Sequence, residues 1–505
     1  MKLFGDKKIC SGCRACEQVC PQKCIHMVQD SEGFLYPEIK QDLCTGCGIC
    51  QKICKNTEEH IQNPLNETYA LKNKKGDIVR ESSSGGVFYG MAKWVIQNNG
   101  IVFGAVFDKD FKVYHCNAHN MDGILHMMGS KYVQSDTCNT FSEAKEYLEK
   151  NRLVLYSGTP CQIAGLRSYL QKDYDNLICV SVICHGVPSP GVWQRYLAYK
   201  KGEQFNDRIK NISFRNKAEG WQKFHLLMCF FNNIYTNRFE DDIYMKGFLQ
   251  NLYLRPSCYQ CRYKGDRDKS DIIIGDYWGI EDVHPAFFDR NGVSAVIINT
   301  GKGKKLLDKI KDSFYYISSE YGFVKERNLA LTGSVSMHHN RSYFFEMLNE
   351  TNNVIESIQA NLDFKPEKDN IKVQQYDSVV KYLQNKLSGW SILDFLEKYN
   401  YKKVAFYSVT EFTQFVFDDI NYARKTGRPI PEIYLSDLNS KKFQNKFMGY
   451  YVFSIEELVE QYNKGNIDCI IICNFFRRNA IIDDFIGKGV DLSKIITIIS
   501  VIFSI

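Results

Sequence analysis

The stretch that decides the fold is CSGCRACEQVC, residues 10–20, which returns with the same spacing as CTGCGICQKIC, residues 44–54. In this spacing three thiolates on a tight loop can hold three corners of an iron–sulfur cube, and the fourth, at the start of the next helix, reaches the other cube. The spacing therefore predicts two 4Fe-4S clusters with crossed ligands. One has Cys10, Cys13, Cys16 and Cys54, and the other has Cys44, Cys47, Cys50 and Cys20.

This doubled pattern resembles the bacterial two-cluster ferredoxin over roughly residues 1–60, which implies a small α+β domain. Pro21 follows Cys20 as the pattern requires, whereas Lys55 follows Cys54, so the second copy departs from the pattern without losing a ligand. A zinc module also uses C-x2-C pairs and is the alternative. Cys24 is interpreted as a small core residue beside a cluster, because free cysteine packs as a small hydrophobe.

Length and composition limit the class of protein. The 505 residues predict two or three domains, and 44% hydrophobic content suffices for real cores. A net charge of +6 is too small to indicate a nucleic-acid partner. Nineteen cysteines in so long a chain favour a reduced, cytoplasmic protein over a secreted disulfide scaffold. The first ten residues lack an apolar signal core, and the longest apolar run, residues 495–505, is too short for a transmembrane segment.

The middle of the chain alternates polar turns with apolar runs. Residues 55–79 are interpreted as a polar bridge, and Ser83, Ser84, Gly85 and Gly86 open a helix that is predicted to end near residue 98. Free N–H groups before a helix suit a phosphate or a flavin edge, although a helix cap without a ligand has the same sequence. Farther on, Asp276 ends a buried strand with an aromatic tip that suits a flat heterocycle or simply the core.

Four further cysteines mark a second candidate metal site. Strands are predicted over 152–157 and 177–183, each followed by a helix, so that Cys161 and Cys184 lie just past neighbouring parallel strands, where α/β sheets place ligands. Cys161, at a helix N-terminus, is expected to have a lowered pKa. With Cys258 and Cys261 they are candidates for a third 4Fe-4S cluster. A redox dithiol, a zinc site and buried cysteines are the alternatives. The unpaired cysteines, interpreted as packing, are Cys116, Cys138, Cys179, Cys229, Cys469 and Cys473.

Several motifs in order resemble the coenzyme F-420 hydrogenase/dehydrogenase beta-subunit family over roughly residues 65–350. They are SSGGVF (83–88), GSKYVQS (129–135), GTPCQ (158–162), CHG (184–186), FRNK (214–217) with Gly220-Trp221, Cys258 to Cys261, and GDYWG (275–279). The resemblance implies an iron–sulfur flavoprotein, generally with FAD, whose relatives take electrons from a deazaflavin coenzyme, from ferredoxin or from hydrogenase partners. The third cluster is part of what the resemblance implies.

The resemblance also implies site residues. A separate physical argument assigns two roles: the positive charge of Lys131 is expected to stabilise an anionic reduced flavin, and His185, next to a candidate cluster ligand, to shuttle a proton, with a structural hydrogen bond as the alternative for His185. The flavin contacts that the resemblance implies are Ser84, Gly85, Gly86, Lys131, Tyr132, Gln134, Ser135, Gly158, Thr159 and Pro160.

The last third of the chain predicts a separate Rossmann-like module. A helix is expected over 378–399, followed by strands over 403–408, 432–435, 468–473 and 495–499 that alternate with helices. The turn after the first strand has no glycine, so NAD binding is not expected. The predicted class is α/β, with domains over 1–60 (ferredoxin-like α+β), 61–365 (FAD-binding α/β core) and 366–505 (helical linker and Rossmann-like domain).

Two functions follow from these expectations. The first is an oxidoreductase that passes electrons from ferredoxin, another redox protein or reduced deazaflavin through the clusters to FAD and on to an unknown small-molecule substrate, with a role in polysaccharide biosynthesis suggested only by the type of C-terminal module. The second is an electron-transfer subunit of a larger redox complex, without its own substrate. A regulator with structural or oxygen-sensing clusters is a third alternative.

Overall fold

The chain forms two compact units, Met1–Asp363 and Phe364–Ile505. The computed structural model describes residues 6–56, 64–362, 381–438, 440–443, 446–474 and 478–502. The cysteine-rich repeat therefore lies in the same unit as the long central region. The predicted boundary between residues 365 and 366 lies outside the described residues.

Among its described residues the first unit contains thirteen strands: β1 (Ile25–Gln29), β2 (Leu35–Ile39), β3 (Glu67–Asn73), β4 (Ile101–Phe107), β5 (Val113–Ala118), β6 (Val154–Gly158), β7 (Leu177–Val182), β8 (Ile209–Asn216), β9 (His225–Phe230), β10 (Ile234–Arg238), β11 (Ile272–Asp276), β12 (Ser294–Ile298) and β13 (Phe314–Ser319). Its α-helices are α1 (Ala15–Gln18), α2 (Ile49–Asn56), α3 (Gly76–Glu81), α4 (Val87–Gln97), α5 (Met121–Met127), α6 (Thr140–Glu149), α7 (Pro160–Leu170), α8 (Pro190–Tyr199), α9 (Ile243–Leu249), α10 (Ile280–Val283), α11 (Gly301–Ile310), α12 (Tyr321–Arg327), α13 (Arg341–Thr351) and α14 (Val354–Asn361).

An eight-stranded mixed sheet forms the centre of the first unit, in the order β13-β3-β12-β11-β7-β6-β4-β5. The strands β4, β6, β7 and β11 run parallel to one another, and the outer strands pair antiparallel. Because β6, β7 and β11 are neighbours and parallel, their carboxyl ends open at one edge of the sheet. This arrangement confirms the predicted α/β class.

Two smaller sheets complete the unit. The hairpin β1–β2 belongs to the cysteine-rich repeat, with Ile25 paired to Ile39. The second sheet has the order β10-β9-β8 and packs with α8, α9, α13 and α14 around an aromatic core that includes Trp193, Tyr244 and Phe344. Phe34, from the turn of the hairpin, is fully buried in the same core. The repeat is thus joined to the rest of the unit by shared hydrophobic packing.

The prediction of a polar bridge over residues 55–79 is wrong for much of its length. Glu67–Asn73 forms β3, inside the central sheet between β12 and β13, and Gly76–Glu81 forms α3. Polar letters dominate β3, yet Ala70 and Leu71 are fully buried. Successive side chains of a strand point to opposite faces, so β3 is covered on both faces and lacks the alternating apolar pattern that marks a half-buried strand. Residues 57–63 of the bridge lie outside the described residues.

The second unit is a Rossmann-like module. Its strands are β14 (Lys403–Tyr407), β15 (Glu432–Ser436), β16 (Lys446–Phe447), β17 (Tyr450–Phe453), β18 (Cys469–Ile472) and β19 (Ile495–Thr497), in the order β16-β17-β15-β14-β18-β19. All neighbours pair parallel except β16 with β17. The helices are α15 (381–387), α16 (Ile392–Lys398), α17 (Glu411–Lys425), α18 (Ile455–Asn463), α19 (Arg478–Gly487) and α20 (Ile498–Ile502).

Two expectations for this unit need correction. The single helix predicted over 378–399 is two helices, because Gly389 adopts φ +91° and Ser391 forms a capping box with Asp394 that starts α16. Residues 378–380 lie outside the described residues. The last strand ends at Thr497 rather than residue 499, and α20 begins at Ile498. Within the described part of the chain, no helix combines the length and apolar character needed to cross a bilayer.

Gly191→Ala tests the contact between the hairpin and α8. A Cβ on Gly191 would lie 2.9 Å from the Gly33 Cα, so the methyl should destabilise the first unit by about 1–3 kcal/mol. The control Gly301→Ala, at the start of α11, meets no atom within 4 Å and should be neutral or stabilising by up to about 1 kcal/mol. For each variant, the free energy of unfolding is measured under anaerobic conditions, together with hydrogen exchange over residues 25–39. Equal behaviour of the two variants would refute the contact.

Candidate functional site

The first set of thiols consists of Cys10, Cys13, Cys16 and Cys54. Cys10 and Cys13 lie on the loop before α1, which turns at Gly12 with φ +75°, while Cys16 lies in α1 and Cys54 in α2. Burial raises the pKa of Cys16, and the neighbouring Cys13, Cys10 and Cys54 raise it further. The structure therefore brings these four thiols together, in the crossed grouping that the spacing predicts.

The second set of thiols consists of Cys20, Cys44, Cys47 and Cys50. It lines a cavity of about 340 Å³, a volume that includes space open to solvent. Cys44 and Cys47 are exposed, whereas Cys50 and Cys20 are partly buried. Cys24 lines the same cavity, and its Sγ lies 3.5 Å from the Sγ of Cys20. This set is therefore accessible from the surface, and Cys24 belongs to its wall.

The first and second sets are neighbours. Cys16 of the first set packs in one small cluster with Cys20 and Cys50 of the second, together with Cys24 and Ile25. The strand β1 starts at Ile25, so the hairpin itself holds the two sets side by side.

The third set of thiols consists of Cys161, Cys184, Cys258 and Cys261. It lines a separate cavity of about 350 Å³, a volume that also includes space open to solvent. Cys161 is the second residue of α7, directly after β6, and Cys184 follows the end of β7 by two residues. Cys258 lies in a 3-10 turn over Pro256–Gln260, and Cys261 follows it. The parallel pairing of β6 with β7 thus places two thiols at one sheet edge, and the loop after α9 supplies the other two.

The expectation that Cys161 has a lowered pKa is wrong. Burial raises its pKa well above the usual value, and the nearby thiols of Cys261, Cys184 and Cys258 add to the rise. Desolvation and repulsion between like charges outweigh the favourable helix N-terminus. All four cysteines line the same cavity.

Donors and cations surround the third set. The hydroxyl of Thr159 lies 3.2 Å from the Cys161 Sγ, and the Val187 N–H donates to the Cys258 Sγ at 3.4 Å. The buried Lys264 and Arg255 line the cavity as well. Thiolate ligands with N–H donors and nearby positive charge match the chemistry of an iron–sulfur centre, whose cube and thiolates together are negative. Among the described residues, no group of three or more His, Cys, Asp or Glu side chains is placed to hold a single metal ion.

His185 lies on the wall of this cavity. Its Nε2 is 2.6 Å from Asn251 Oδ1, and its ring stands edge-on to Phe248. Burial lowers its pKa, so the neutral ring is favoured. The Asn251 contact gives the ring a structural hydrogen bond, and the predicted proton shuttle stays a prediction.

The serine–glycine loop before α4 is held by the protein itself. Ser84 Oγ donates to the Val293 carbonyl at 2.8 Å, and the Gly85 N–H donates to Ser294 Oγ at 2.9 Å. A Cβ on Gly85 would lie 2.3 Å from the Leu71 carbonyl oxygen, so this glycine is needed for packing. Gly86 adopts φ +81° at the start of α4. Ser83 Oγ accepts a hydrogen bond from the Ser130 N–H at 2.6 Å, which joins this loop to the 129–135 segment.

Arg215 brings several predicted flavin contacts together. Its guanidinium forms a two-pronged ion pair with Asp276, at 2.8 and 3.2 Å, and donates to the Tyr132 hydroxyl at 3.1 Å and to the Ser83 carbonyl at 3.2 Å. Asp276 also accepts from Trp221 Nε1 at 2.8 Å. The buried Arg215 Nε has no hydrogen-bond partner among the described residues. A buried donor without a partner is unusual in a native structure, and an acceptor from a bound group would satisfy it.

The sequence analysis did not name Arg215 or Lys217 as site residues. Arg215 and Lys217 stood inside the quoted FRNK motif, which was the available signal. Lys217 Nζ donates to the Val79, Ser84 and Asn291 carbonyls, at 2.8, 2.9 and 2.5 Å. Burial, then the charge of Arg215, lowers the Lys217 pKa to about 7.

Lys131 is placed beside α5. Its ammonium donates to the Met128 and Gly129 carbonyls, at 3.0 and 3.1 Å, and lies 5.7 Å from the centre of the Phe107 ring. Burial lowers its pKa to about 8. Lys131 thus occupies the C-terminal end of α5, where a cation is favoured, and its action on a flavin stays a prediction.

The remaining predicted flavin contacts face other parts of the site. Gln134 donates to the Ser11 carbonyl at 3.0 Å and accepts from Arg255, so its side chain binds the loop of the first thiol set. Thr159 forms the capping box of α7 with Gln162, and Pro160 lines the third cavity. Gly158, the last residue of β6, leads into this turn.

Ser135 belongs to a buried pair that sequence reasoning also missed. Its hydroxyl lies 2.6 Å from His115 Nδ1, and His115 Nε2 lies 3.0 Å from the Ser157 carbonyl oxygen. Since a carbonyl only accepts, Nε2 carries the proton and Nδ1 accepts from Ser135. Burial lowers the His115 pKa to about 4. A lone histidine within β5 gave no signal in the sequence.

Comparison with known proteins agrees with the motifs. Residues 151–321 match the family model for the C terminus of the coenzyme F420 hydrogenase/dehydrogenase beta subunit, and residues 9–57 match the 4Fe-4S dicluster domain. One similar solved structure is a chain of the F420-reducing NiFe hydrogenase complex from Methanosarcina barkeri, studied by xenon derivatization. It is 16% identical, and the match covers 53% of this chain and 91% of that chain with a TM-score of 0.36. None of the curated proteins matches.

The matches confirm the recognition made from the motifs. The chain joins a 4Fe-4S dicluster domain to a region of the F420 hydrogenase/dehydrogenase beta-subunit type. These matches support a redox role for the chain, in iron–sulfur electron transfer.

Cys258→Ser tests the third thiol set. If all three sets hold 4Fe-4S clusters, the purified wild-type chain should carry about twelve irons, and the variant should lose about four. The matched control is Cys229→Ser, a partly buried cysteine on β9 that should keep the full iron content. Iron and acid-labile sulfide are measured after anaerobic purification. Full iron in the Cys258 variant would remove this residue from the ligands.

Proposed function

We propose that the protein is an iron–sulfur flavoprotein oxidoreductase. It takes electrons from a low-potential donor, either ferredoxin or a reduced deazaflavin coenzyme, and passes them through three 4Fe-4S centres to FAD and on to a substrate. The observation that carries the proposal is the placement of the three thiol sets. One opens at the surface, the next is packed beside it, and the third lies at the carboxyl edge of the central sheet.

The exposed thiols indicate where electrons enter. Cys44 and Cys47 are exposed, so the second set is accessible to a redox partner. The first set is buried against the core through Cys10 and Cys16. This order supports an inward route from a docked protein to the third set. Each thiolate set would supply a centre that accepts one electron at a time.

A flavin is supported by the surroundings of Arg215. The unpartnered Nε and the nearby Ser83, Tyr132 and Asp276 lie in segments that resemble the flavin-binding motifs of the family. FAD converts one-electron into two-electron chemistry, so it would link the centres to a hydride-accepting substrate. The buried Arg215 and the partly buried Lys217 would hold a negative flavin group in place.

For the second unit we favour a docking or partner-binding role over a dinucleotide site. The turn between β14 and α17 contains Ser408 in a left-handed conformation, φ +79°, rather than a glycine that allows close approach of a pyrophosphate. Thr410 caps α17 with its own side chain. A role in polysaccharide biosynthesis stays a prediction based on the type of module, and a cytoplasmic location likewise stays a prediction.

The composition of the purified protein tests the proposal. After anaerobic purification we expect about twelve irons and one FAD per chain, with visible bleaching by dithionite. Turnover with ferredoxin or reduced deazaflavin as the electron donor would indicate an enzyme. The alternative is a subunit that only relays electrons. Such a subunit would copurify in a complex and show no turnover of its own. Iron without any flavin would contradict the flavoprotein proposal.

Arg215→Lys tests the flavin site. The lysine keeps the charge but loses the fork that joins Asp276, Tyr132 and Ser83, so flavin affinity should fall about tenfold, as expected for the loss of one hydrogen bond to a charged group. The exposed Arg238→Lys, paired with Glu219, is the matched control. Flavin is titrated by fluorescence, and unchanged iron content shows that the variant is folded. Wild-type flavin affinity in Arg215→Lys would exclude this site.

A further inference from the structure

Arg255 lies between the first and third thiol sets. Its Nε donates to the Cys10 carbonyl at 2.8 Å, and its Nη2 lies 3.6 Å from the Cys10 Sγ. The same side chain, with Ser11, lines the cavity of the third set. One buried side chain therefore lies beside both sets.

The partners of Arg255 hold its position without neutralising it. Besides Cys10, it donates to the Leu35 carbonyl at 2.9 Å and to Gln134 Oε1 at 2.9 Å, and it lies 4.3 Å from the centre of the Tyr36 ring. The residue is 1% exposed. Its hydrogen-bond acceptors among the described residues are carbonyls, an amide and a thiol. A buried charge held in this way needs negative charge nearby, and thiolate centres on both sides supply it.

We propose that Arg255 is a positioning residue that couples the first and third centres and raises the reduction potentials of both. The inference rests on the proposed function, because it requires that both thiol sets hold a 4Fe-4S cluster. One electron leaves the first centre, which is oxidised, and reaches the third, which is reduced, with no bond broken. The positive charge of Arg255 stabilises the added electron at either end, and its hydrogen bonds fix the loop of Cys10 against the third cavity.

Lys264 provides a matched comparison because it belongs to the third set alone. It lines the third cavity and donates to the His185 and Gly333 carbonyls, at 3.3 and 3.0 Å. Loss of Lys264 should therefore act on one centre, whereas loss of Arg255 should act on two. The second set, on the surface side of the first, should respond to neither.

The test is an anaerobic potentiometric titration of the full chain followed by electron paramagnetic resonance. Signals are assigned with Cys258→Ser, which removes the third centre, and Cys47→Ser, which removes the second. In Arg255→Gln the first and third centres should each become about tenfold harder to reduce, which is 59 mV for a one-electron step. Lys264→Gln should move only the third potential, and the exposed Arg238→Gln should move none.

The outcomes separate this inference from the function on which it rests. A wild-type chain with fewer than three centres would refute the proposed function. Three centres with unchanged potentials in Arg255→Gln, or with all three shifted equally, would overturn the role of Arg255. If Arg255→Gln does not assemble its clusters, Arg255→Lys is measured in its place, because it keeps the positive charge on a shorter side chain. It should shift the same two potentials downward by less, and no shift at full iron content would also overturn the inference.

Discussion

Gly33 and Gly191 meet backbone to backbone, and the position of the cysteine-rich repeat depends on that contact. A Cβ on Gly33 would lie 2.5 Å from the Gly191 Cα, so no side chain fits between the hairpin and α8. Glu32, the preceding residue, accepts a two-pronged ion pair from Arg341 at 2.9 and 2.6 Å, and its carbonyl accepts from Ser189. The repeat is thus one body with the α/β core, and the spacing between thiol sets is fixed by packing rather than by a linker.

The first unit also contains basic side chains that are buried, as in Arg215 and Arg255, or partly buried, as in Lys217. Arg215 is paired with Asp276, but Lys217 is held by carbonyls, and Arg255 by carbonyls, an amide and a thiol. Such groups are costly to bury unless negative charge is close. Their positions follow the two kinds of site that the chain is proposed to contain, with Arg215 and Lys217 beside the flavin motifs and Arg255 between the thiol sets. The fold is therefore already arranged for anionic groups.

The sequence predicted the parts of the molecule that depend on local spacing. The cysteine repeat gave the grouping of eight thiols, and the strand–helix–strand pattern placed Cys161 and Cys184 at one sheet edge, as β6 and β7 show. It could not predict contacts that fold distant segments together. The polar strand β3, the direction of the Gln134 side chain toward Ser11, and the partners of Arg215 all depend on tertiary packing. The pKa of Cys161 was misjudged for the same reason, since burial is not visible in a motif.

The two copies of the cysteine motif share one spacing but differ in their surroundings. Cys10 and Cys16 are buried, whereas their counterparts Cys44 and Cys50 are exposed and partly buried. Solvent exposure and nearby charge set the potential of a centre. Under the proposed function, water would stabilise an added electron on the exposed set, and Arg255 would do so on the buried set. Two copies of one cysteine spacing would then have different reduction potentials because their surroundings differ.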